Sequence, residues 1–367
     1  MSLSIVHVLS SFGVGGQERV ALDLAIGQKT AGHRVAVMSL APQPDGMLAQ
    51  EFTAAGIELL HCEKRAHGLD PTLSTRIGAT LRKHGVDIVH THNPMPLIYA
   101  AAAARLIGAA VIHTKHGRNP ANFSNRALRR VAAQCVHFFV AVSDITAEQA
   151  LAQHDCQPSK LRTINNGIRL ERYVPDGKLR AETRAELGLG DAWVVGTVGR
   201  LDEFKNQSML IRAMAPMLSQ QCRLVIVGDG PSRADIEAAV ARLPEPRFVV
   251  ITGRRMDVPR IMPAFDVFAL SSTSEGLPLV VPEAMSAGLP IVATEVGGLP
   301  TVVDEDSTGK LVAVDEVALR AALAELMADR ARTRAMGATA RKTAHARFSA
   351  ERMNAEYLAL YLQARRS

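Results

Sequence analysis

The chain of 367 residues is longer than a single hydrophobic core usually supports, so two domains are expected. Hydrophobic residues make up 47% and charged residues 21%, no apolar run reaches the roughly 18 residues of a membrane span, and four scattered cysteines argue against a disulfide framework or a structural zinc. The net charge of +6 is modest, and we expect no nucleic-acid partner.

The first half of the chain alternates apolar strands with helices. The predicted strands are residues 3–10, 33–40, 56–62, 86–92, 109–117, 135–143 and 160–168. The predicted helices are residues 18–33, a segment from about Met47, and residues 73–84, 96–108, 122–134 and 144–154. Strands with continuous apolar runs that alternate with helices predict a parallel sheet covered on both faces. The chain enters its first strand without a signal-peptide pattern, so we expect a cytoplasmic protein.

A glycine-rich turn, Gly13–Gly16, separates the first strand from the first helix. Glycines there permit a close approach of backbone N–H groups to a phosphate. The pattern is not G-x-G-x-x-G, because Arg19 and Val20 occupy the later positions, and no Gly-Lys-Ser/Thr follows. The turn therefore indicates a phosphate contact rather than a dinucleotide or Walker site.

Four histidines end two neighbouring strands: His90 and His92 on one, His113 and His116 on the next. Imidazoles at adjacent strand ends raise a metal hypothesis, but no carboxylate lies among them. The alternative is that the spacing is a by-product of adjacent strands. On that interpretation His116, followed by Gly117, faces a ligand cleft and His90 is a hydrogen-bonded core histidine.

Between Asp87 and Asp144 the chain has no acidic residue and six basic ones. A basic face of this kind suits an anionic membrane, a nucleic acid or a phosphorylated substrate, and it is also typical of a solvated helix surface. Helix 122–134 carries Phe123, Leu128 and Val131 near Arg126, Arg129 and Arg130. It could dock on anionic lipid and present a lipid-linked acceptor.

Residues 165–192 have no strand signal and are rich in charge, glycine and proline. The alternation then restarts with strands predicted in 193–201, 222–231, 246–253, 264–270, 290–294 and 309–314. From Glu316 to Arg366 only helices are predicted. The second half is thus a second parallel α/β domain, and two such domains bind ligands at the carboxyl ends of their strands, across a cleft.

The segment Gly199–Asn206, GRLDEFKN, follows the first strand of this second domain. Arg200 and Lys205 lie on the loop that leads into a helix. Two fixed cations there can hold a diphosphate through charge-assisted hydrogen bonds of roughly 1.5–3 kcal/mol each. The alternative is a surface loop with two solvated charges.

The segment Ser272–Thr294 places Glu275 and Glu283 eight residues apart around a Gly-Leu-Pro corner. Pro278 suits the first turn of a helix over residues 279–286, with Glu275 on the loop before it and Glu283 one turn further in. Backbone N–H groups and the helix dipole would point at the same place. The pattern predicts a site for hydroxyls and phosphates.

Together these motifs resemble the retaining glycosyltransferases of family 4 (group 1), and Glu275 with Glu283 match that family's Glu-x7-Glu element. The resemblance covers nearly the whole chain. It implies the GT-B fold: two Rossmann-like, doubly wound parallel-sheet domains facing across a cleft. Residues 1–172 would form the acceptor-side domain, with helix 349–367 packing back on it, and residues 173–348 the nucleotide-sugar-binding domain.

The resemblance also implies roles for individual residues. Arg200 and Lys205 would bind the donor diphosphate, joined by the amide of Gly16, beside Gly15, once the cleft closes. Glu275 would bind the donor sugar's hydroxyls, surrounded by the amides of Gly276, Leu277 and Leu279 around Pro278. Glu283 would bind the ribose, His116 would lie beside the sugar near the point of transfer, and the backbone at Arg254 and Arg255 would meet the base.

The expected activity is metal-independent, retaining transfer of a hexose from a nucleotide diphosphate sugar, UDP rather than GDP, to a hydroxyl. The acceptor would be a glycan or lipid-linked molecule of bacterial surface polysaccharide or lipopolysaccharide synthesis. No cofactor besides the nucleotide-sugar co-substrate is expected. The expected location is the cytoplasm, with a peripheral position on the inner face of the cytoplasmic membrane as the alternative. The alternatives are a GT-B nucleotide-sugar epimerase and a non-catalytic nucleotide-sugar-binding module.

Overall fold

The computed structural model describes residues 2–43, 45–66, 68–117 and 123–366, with residues 123–125 described by their backbone alone. The described chain forms two compact units. The N-terminal unit runs to Gly167 and includes the segment from Ala350 onward, and the C-terminal unit is Ile168–Ser349.

The N-terminal unit contains a parallel sheet of seven described strands, ordered β3-β2-β1-β4-β5-β6-β7. Crossover helices connect the strands, because parallel neighbours cannot be joined by tight hairpins. The strands are β1 (Ser4–Leu9), β2 (Arg34–Ser39), β3 (Glu58–His61), β4 (Ile88–His92), β5 (Ala110–Lys115), β6 (Phe138–Ala141) and β7 (Leu161–Thr163). The predicted doubly wound parallel sheet is confirmed.

Six described helices of this unit fall between its strands, each within a few residues of its predicted position. They are α1 (Gly16–Thr30), α2 (Leu48–Ala54), α3 (Leu73–Lys83), α4 (Pro94–Leu106), α5 (Phe123–Gln134) and α6 (Asp144–Ala152). The first residue of the predicted basic helix, Asn122, and the loop from Arg118 lie outside the described residues.

The two faces of this sheet differ in chemistry. Aligned residues of neighbouring parallel strands point to the same face, and successive residues alternate between faces. One face is apolar and packs against α3 and α4, with Val6, Val8, Val89, Val111 and Phe139 in its core. The register aligns His7 with His90, and His92 with Thr114, so these four residues share the opposite face. All four are fully buried.

The C-terminal unit contains a second parallel sheet, ordered β10-β9-β8-β11-β12-β13. Its strands are β8 (Trp193–Val198), β9 (Cys222–Val227), β10 (Val249–Gly253), β11 (Val267–Leu270), β12 (Ile291–Thr294) and β13 (Gly309–Val312). Its helices are α7 (Gly177–Glu186), α8 (Gln207–Met214), α9 (Arg233–Ala241), α10 (Val258–Ile261), α11 (Val280–Ser286), α12 (Glu316–Ala328) and α13 (Arg330–Arg347). The predicted second α/β domain is confirmed.

Helix α7 forms within the segment that gave no strand signal. Asp176 caps it, since its Oδ1 accepts hydrogen bonds from the amides of Lys178 and Leu179 at 2.8 and 2.9 Å. Arg180 and Arg184 then reach Asp266 at 2.6 and 2.7 Å. The long-range pairing stabilises a helix whose own apolar face is short, which explains why periodicity did not predict it.

The last helix, α14 (Ala350–Ala364), belongs to the N-terminal unit. It lies on the polar face of the sheet, where Tyr357 and Tyr361 are fully buried. The side-chain amide of Asn354 donates to the backbone oxygen of Asp23 at 3.2 Å. Among the helices that the structure describes, none is long and apolar enough to cross a bilayer.

Candidate functional site

The loop after β8 carries the two predicted cations. Asp202 shapes it, because its Oδ1 accepts from the amides of Phe204 and Lys205 at 3.1 and 3.0 Å. The Arg200 side chain is 70% exposed and 3.8 Å from Asp202. Ser271 anchors the end of the loop by donating to the backbone oxygens of Lys205 and Asn206 at 3.1 and 2.9 Å. The structure thus ties this loop directly to the one that follows β11.

Lys205 and Glu275, 70 residues apart in sequence, form an ion pair. Lys205 Nζ lies 2.6 Å from Glu275 Oε1, and the two side chains are 20% and 8% exposed. Ser272 Oγ donates to the same carboxylate oxygen at 2.5 Å. An ammonium and a carboxylate therefore meet at the carboxyl ends of two adjacent strands, β8 and β11.

Two glycines after β12, Gly297 and Gly298, pack against the backbone of the loop that carries Glu275. Gly297 has φ +55°, and a Cβ there would lie 1.9 Å from the backbone oxygen of Glu275. The amide of Gly298 donates to the oxygen of Gly276 at 2.9 Å. Only a residue without a side chain fits this contact. Sequence reasoning overlooked these residues, and the Gly-Gly pair in TEVGGLP was the available signal.

Helix α11 begins at Val280, with Leu279 as its N-cap, so Pro278 lies before the helix and not in its first turn. Glu283 occupies the first turn and is 9% exposed. Within the described residues, the amides of Gly276, Leu277 and Leu279 donate to no protein acceptor. Three donors and two carboxylates consequently border one short loop.

Arg255 is held by acidic neighbours. Its guanidinium contacts Asp257 at 2.7 and 2.8 Å and Glu186 at 2.8 Å. These hydrogen bonds raise the pKa of Arg255 and lower the pKa of Asp257 and of Glu186. The side chain is therefore already paired within this unit, which fits a contribution to base binding through the backbone rather than through the guanidinium.

His116 lies just beyond β5 in the N-terminal unit. Its amide donates to Asn93 Oδ1 at 3.2 Å, and Asn93, at φ +64°, donates its own side-chain amide to Gln17 Oε1. His116 Nε2 lies 2.9 Å from His92 Nδ1. Removal of the ring from most of the solvent lowers the pKa of His116 to about 3, so the imidazole is neutral at physiological pH.

The histidines do not group as the strand ends predicted. His113 points to the apolar face, where Thr91 Oγ1 lies 2.9 Å from its Nδ1 and Phe139 packs on its ring. His7, from β1, takes its place: its Nδ1 is 3.0 Å from His92 Nε2. The correction follows from strand alternation, which separates His113 from the aligned positions. His90 is a hydrogen-bonded core histidine, as expected, 2.7 Å from Tyr361 Oη.

The nitrogens of His7, His90 and His92 lie within 4.8 Å of one another, close enough to hold a metal ion. Both ring nitrogens of each residue already have hydrogen-bonding partners, however. His90 bonds Tyr361 and Thr114, and His7 bonds His92 and Gln28. A metal would have to replace these bonds in a fully buried position. The residues fit a hydrogen-bond network better than a metal centre.

The glycine-rich turn precedes α1, which begins at Gly16 with Gly15 as its N-cap. Glu18 covers this turn: a Cβ on Gly15 would lie 2.5 Å from its carboxylate oxygen. Burial raises the pKa of Glu18, whose carboxylate accepts from the side-chain amide of Gln17. A buried acidic group therefore lies beside the turn, which the sequence did not predict.

Comparison with known proteins identifies the family. Residues 14–172 match the family described as Glycosyltransferase Family 4, and residues 192–329 match Glycosyl transferases group 1. A GDP-mannose-dependent alpha-(1-6)-phosphatidylinositol monomannoside mannosyltransferase from Mycolicibacterium smegmatis is 31% identical over 74% of this chain and 75% of its own length. The UDP-Gal:alpha-D-GlcNAc-diphosphoundecaprenol alpha-1,3-galactosyltransferase of Escherichia coli is 31% identical over 65% of each chain.

Among solved structures, HepE from Anabaena in complex with UDP and glucose superposes with a TM-score of 0.86. The superposition covers 98% of this chain and 99% of that one at 23% identity. At this identity the likeness establishes the fold, which is GT-B with two Rossmann-like domains. With the family matches and the relatives, it follows that this chain is a member of the group 1, family 4 glycosyltransferases.

Proposed function

We propose that this glycosyltransferase moves a hexose from a UDP-sugar to a hydroxyl of a glycan or lipid-linked acceptor, with retention of anomeric configuration and without a metal. The observation that carries the proposal is the Lys205–Glu275 pair at the carboxyl ends of β8 and β11. An ammonium and a carboxylate meet there, and in this proposal the first would hold the diphosphate and the second the hydroxyl groups.

The diphosphate would bind Lys205 and Arg200. Arg200 is largely exposed and can turn toward an anion with little loss of protein contacts. Cleavage of a sugar–phosphate bond leaves negative charge on the diphosphate, and fixed cations supply the compensation that a metal provides elsewhere. Lys205 would exchange part of its contact with Glu275 for contact with the leaving group. In the N-terminal unit, Gly15 and Gly16 would add backbone N–H groups.

The sugar would bind Glu275 and the amides of Gly276, Leu277 and Leu279. Ser272 and the Gly297–Gly298 pair hold this loop in place, which lowers the cost of ordering it around a ligand.

The ribose and the base would occupy the neighbouring groups of the same unit. Glu283 would accept from the ribose hydroxyls. The backbone beside Arg255 would contact the base, since its guanidinium is occupied by Asp257 and Glu186.

Retention is supported by the way the carboxylates are used. Glycosidases place two carboxylates on either side of the scissile bond. Here Glu275 and Glu283 are both assigned to the donor, so neither is available as an opposing nucleophile. The diphosphate would instead help to deprotonate the acceptor on the face it leaves. A neutral His116 would contribute a hydrogen bond to the transferred sugar and not a positive charge.

The proposed donor and acceptor classes draw on two relatives. The E. coli relative is by name a UDP-Gal enzyme acting on a diphosphoundecaprenol-linked sugar, and HepE is seen with UDP and glucose. The mycobacterial relative depends on GDP-mannose, so the base must be tested directly. A lipid-linked acceptor fits synthesis of bacterial surface polysaccharide or lipopolysaccharide at the cytoplasmic face of the membrane.

A donor panel tests the proposal. UDP-glucose, UDP-galactose, UDP-N-acetylglucosamine and GDP-mannose are compared for their effect on the melting temperature and for release of nucleoside diphosphate. We expect a UDP-sugar to give the largest shift, release of UDP that persists in EDTA, and an α-linked product from an α-linked donor. Preference for GDP-mannose, inversion, or loss of activity in EDTA would contradict the respective part. An epimerised donor without glycosylated product would favour the epimerase alternative.

A further inference from the structure

A chain of hydrogen bonds runs from His116 into the buried polar face of the N-terminal sheet. His116 Nε2 is 2.9 Å from His92 Nδ1, and His92 Nε2 is 3.0 Å from His7 Nδ1. His7 Nε2 is 2.8 Å from Gln28 Oε1. His92, His7 and Gln28 are all completely buried, so water cannot replace any of these contacts. Each ring in the chain therefore depends on its neighbours for hydrogen bonding.

The donor and acceptor order of these hydrogen bonds follows from the number of protons that each ring carries. Burial lowers the pKa of all three histidines, that of His7 to about 4, so each ring is neutral and carries one proton. Gln28 Oε1 can only accept, so His7 carries its proton on Nε2 and accepts at Nδ1. His92 then donates from Nε2 and accepts at Nδ1. His116 in turn donates from Nε2, which leaves Nδ1 as a lone-pair acceptor.

The orientation of the Gln28 amide sets this direction. Its Nε2 donates to Tyr361 Oη at 3.2 Å, which leaves Oε1 facing His7. Tyr361 then has its own proton for His90 Nδ1, 2.7 Å away. Tyr361 lies on α14, so the C-terminal helix supplies the group that orients the amide.

We propose that His92, His7 and Gln28 are positioning residues that fix the tautomer of His116, so that its Nδ1 accepts a hydrogen bond from a hydroxyl of the transferred sugar. Within the described residues His116 Nδ1 has no hydrogen-bonding partner, whereas Nε2 bonds His92. The role as an acceptor toward sugar rests on the proposed function, whereas the tautomer itself does not. The chain thus assigns a function to buried polar residues that contact no substrate.

The tautomer can be measured directly on the full-length protein. Protein with ¹⁵N-labelled histidine is examined by NMR at neutral pH, and the resonances of His116 are assigned by comparison with His116→Gln. We expect a protonated Nε2 and an unprotonated Nδ1. A protonated Nδ1, or a mixture of both tautomers, would overturn the proposal. This readout needs neither donor nor acceptor, so it stays informative if the proposed activity is wrong.

Substitutions at His92 test the positioning role in turnover. His92→Phe keeps the ring and removes both hydrogen bonds, and we expect mixed His116 tautomers and about a tenfold lower kcat/KM for the donor, the value of one hydrogen bond. His92→Asn places an amide oxygen near the position of Nδ1 and should restore part of the loss and the single tautomer. Equal losses in both variants, with the His116 tautomer unchanged, would contradict the proposal.

His113→Phe is the matched control. It replaces an equally buried histidine on the neighbouring strand, but His113 bonds Thr91 on the other face and is not in the chain. We expect it to lower the melting temperature without changing the His116 tautomer or kcat/KM for the donor. A kinetic loss equal to that of His92→Phe would assign the effect to general core damage and overturn the proposal.

Metal analysis tests the alternative that these histidines bind a metal ion. Mass spectrometry under native conditions and elemental analysis of the purified protein should show no stoichiometric transition metal, and added zinc should not alter the His7 or His92 resonances. A bound ion that is lost in His7→Phe would replace the hydrogen-bond chain with a metal site and overturn the proposal.

Discussion

The loops after β8 and β11 and the polar face of the N-terminal sheet both concentrate functional groups, but they treat charge in opposite ways. In the C-terminal unit, Lys205 pairs with Glu275 at 2.6 Å, so opposite charges meet at these loops. On the polar face of the N-terminal sheet, burial lowers the pKa of His7 and His92, so both rings are neutral. The first region therefore presents paired charges, whereas the second consists of hydrogen bonds between uncharged groups.

The largest expected effect comes from removing charge where charge is used. Lys205→Ala deletes the cation beside Glu275 and should lower the rate of sugar transfer by a factor of about 10² or more. The reason is the loss of a preorganised cation that would compensate the negative charge of the leaving diphosphate. Release of nucleoside diphosphate measures the rate. Arg212→Ala is the control, since Arg212 is an exposed cation paired with Glu316 at 3.1 Å. Turnover near wild type in Lys205→Ala would refute the diphosphate assignment.

The second largest expected effect is a loss of folding stability at low pH, caused by histidines that are buried in the neutral form. The pKa of His7 is about 4 and that of His113 about 3 in the folded protein, against about 6.5 when unfolded. Unfolding therefore takes up protons between these values, so stability is fully present above pH 6.5 and falls as the pH drops toward 4. Each histidine contributes up to about 1.4 kcal/mol per pH unit.

Melting temperatures at a series of pH values measure this loss. His113→Phe should reduce the slope by the share of one histidine, because it removes one buried group that must be protonated. A melting temperature that does not change between pH 6.5 and 4.5 would show that the histidines are not held neutral.

A smaller effect is expected from the support behind Glu275. Gly297→Ala combines a positive φ with a Cβ 1.9 Å from a backbone oxygen and should destabilise the protein by about 1–3 kcal/mol more than the control. The control is Gly188→Ala, which has φ +64° and no atom within 4 Å of the added Cβ. Thermal unfolding, with and without donor, gives both quantities. Equal losses in the two variants would show that the contact behind Glu275 has no importance.

The smallest expected effect is on membrane binding by α5, because one of its predicted basic residues is buried. Arg129 is buried at 5% exposure, so it cannot face lipid as expected, whereas Arg126 is exposed and Val131 is 68% exposed. We still propose that this face binds anionic vesicles. Arg126→Ser with Arg130→Ser should weaken flotation by roughly 1 kcal/mol for each residue. Arg334→Ser, an exposed arginine on α13, is the control.

High salt should abolish the binding, because exposed charges are screened within about 10 Å at 0.1 M ionic strength. Flotation that is absent at low salt, or unchanged in the double variant, would refute the membrane proposal.

The sequence by itself determined the alternation of strands and helices, the restart after residue 192, and the motifs Arg200 to Lys205 and Glu275 to Glu283. These features are local, since each depends on residue types a few positions apart. Pattern also predicted His116 at a strand end and His90 as a core residue. It did not predict α7, because that helix depends on Arg180 and Arg184 reaching Asp266, more than 80 residues away.

Only the tertiary structure decided which residues meet. Strand order and alternation replaced His113 by His7 in the histidine group, and the return of α14 placed Tyr361 beside Gln28, 333 residues apart. The same applies to Lys205 with Glu275 and to Gly297 behind it. Contacts of this kind follow from sheet order and register, which set distances between segments that no local pattern encodes.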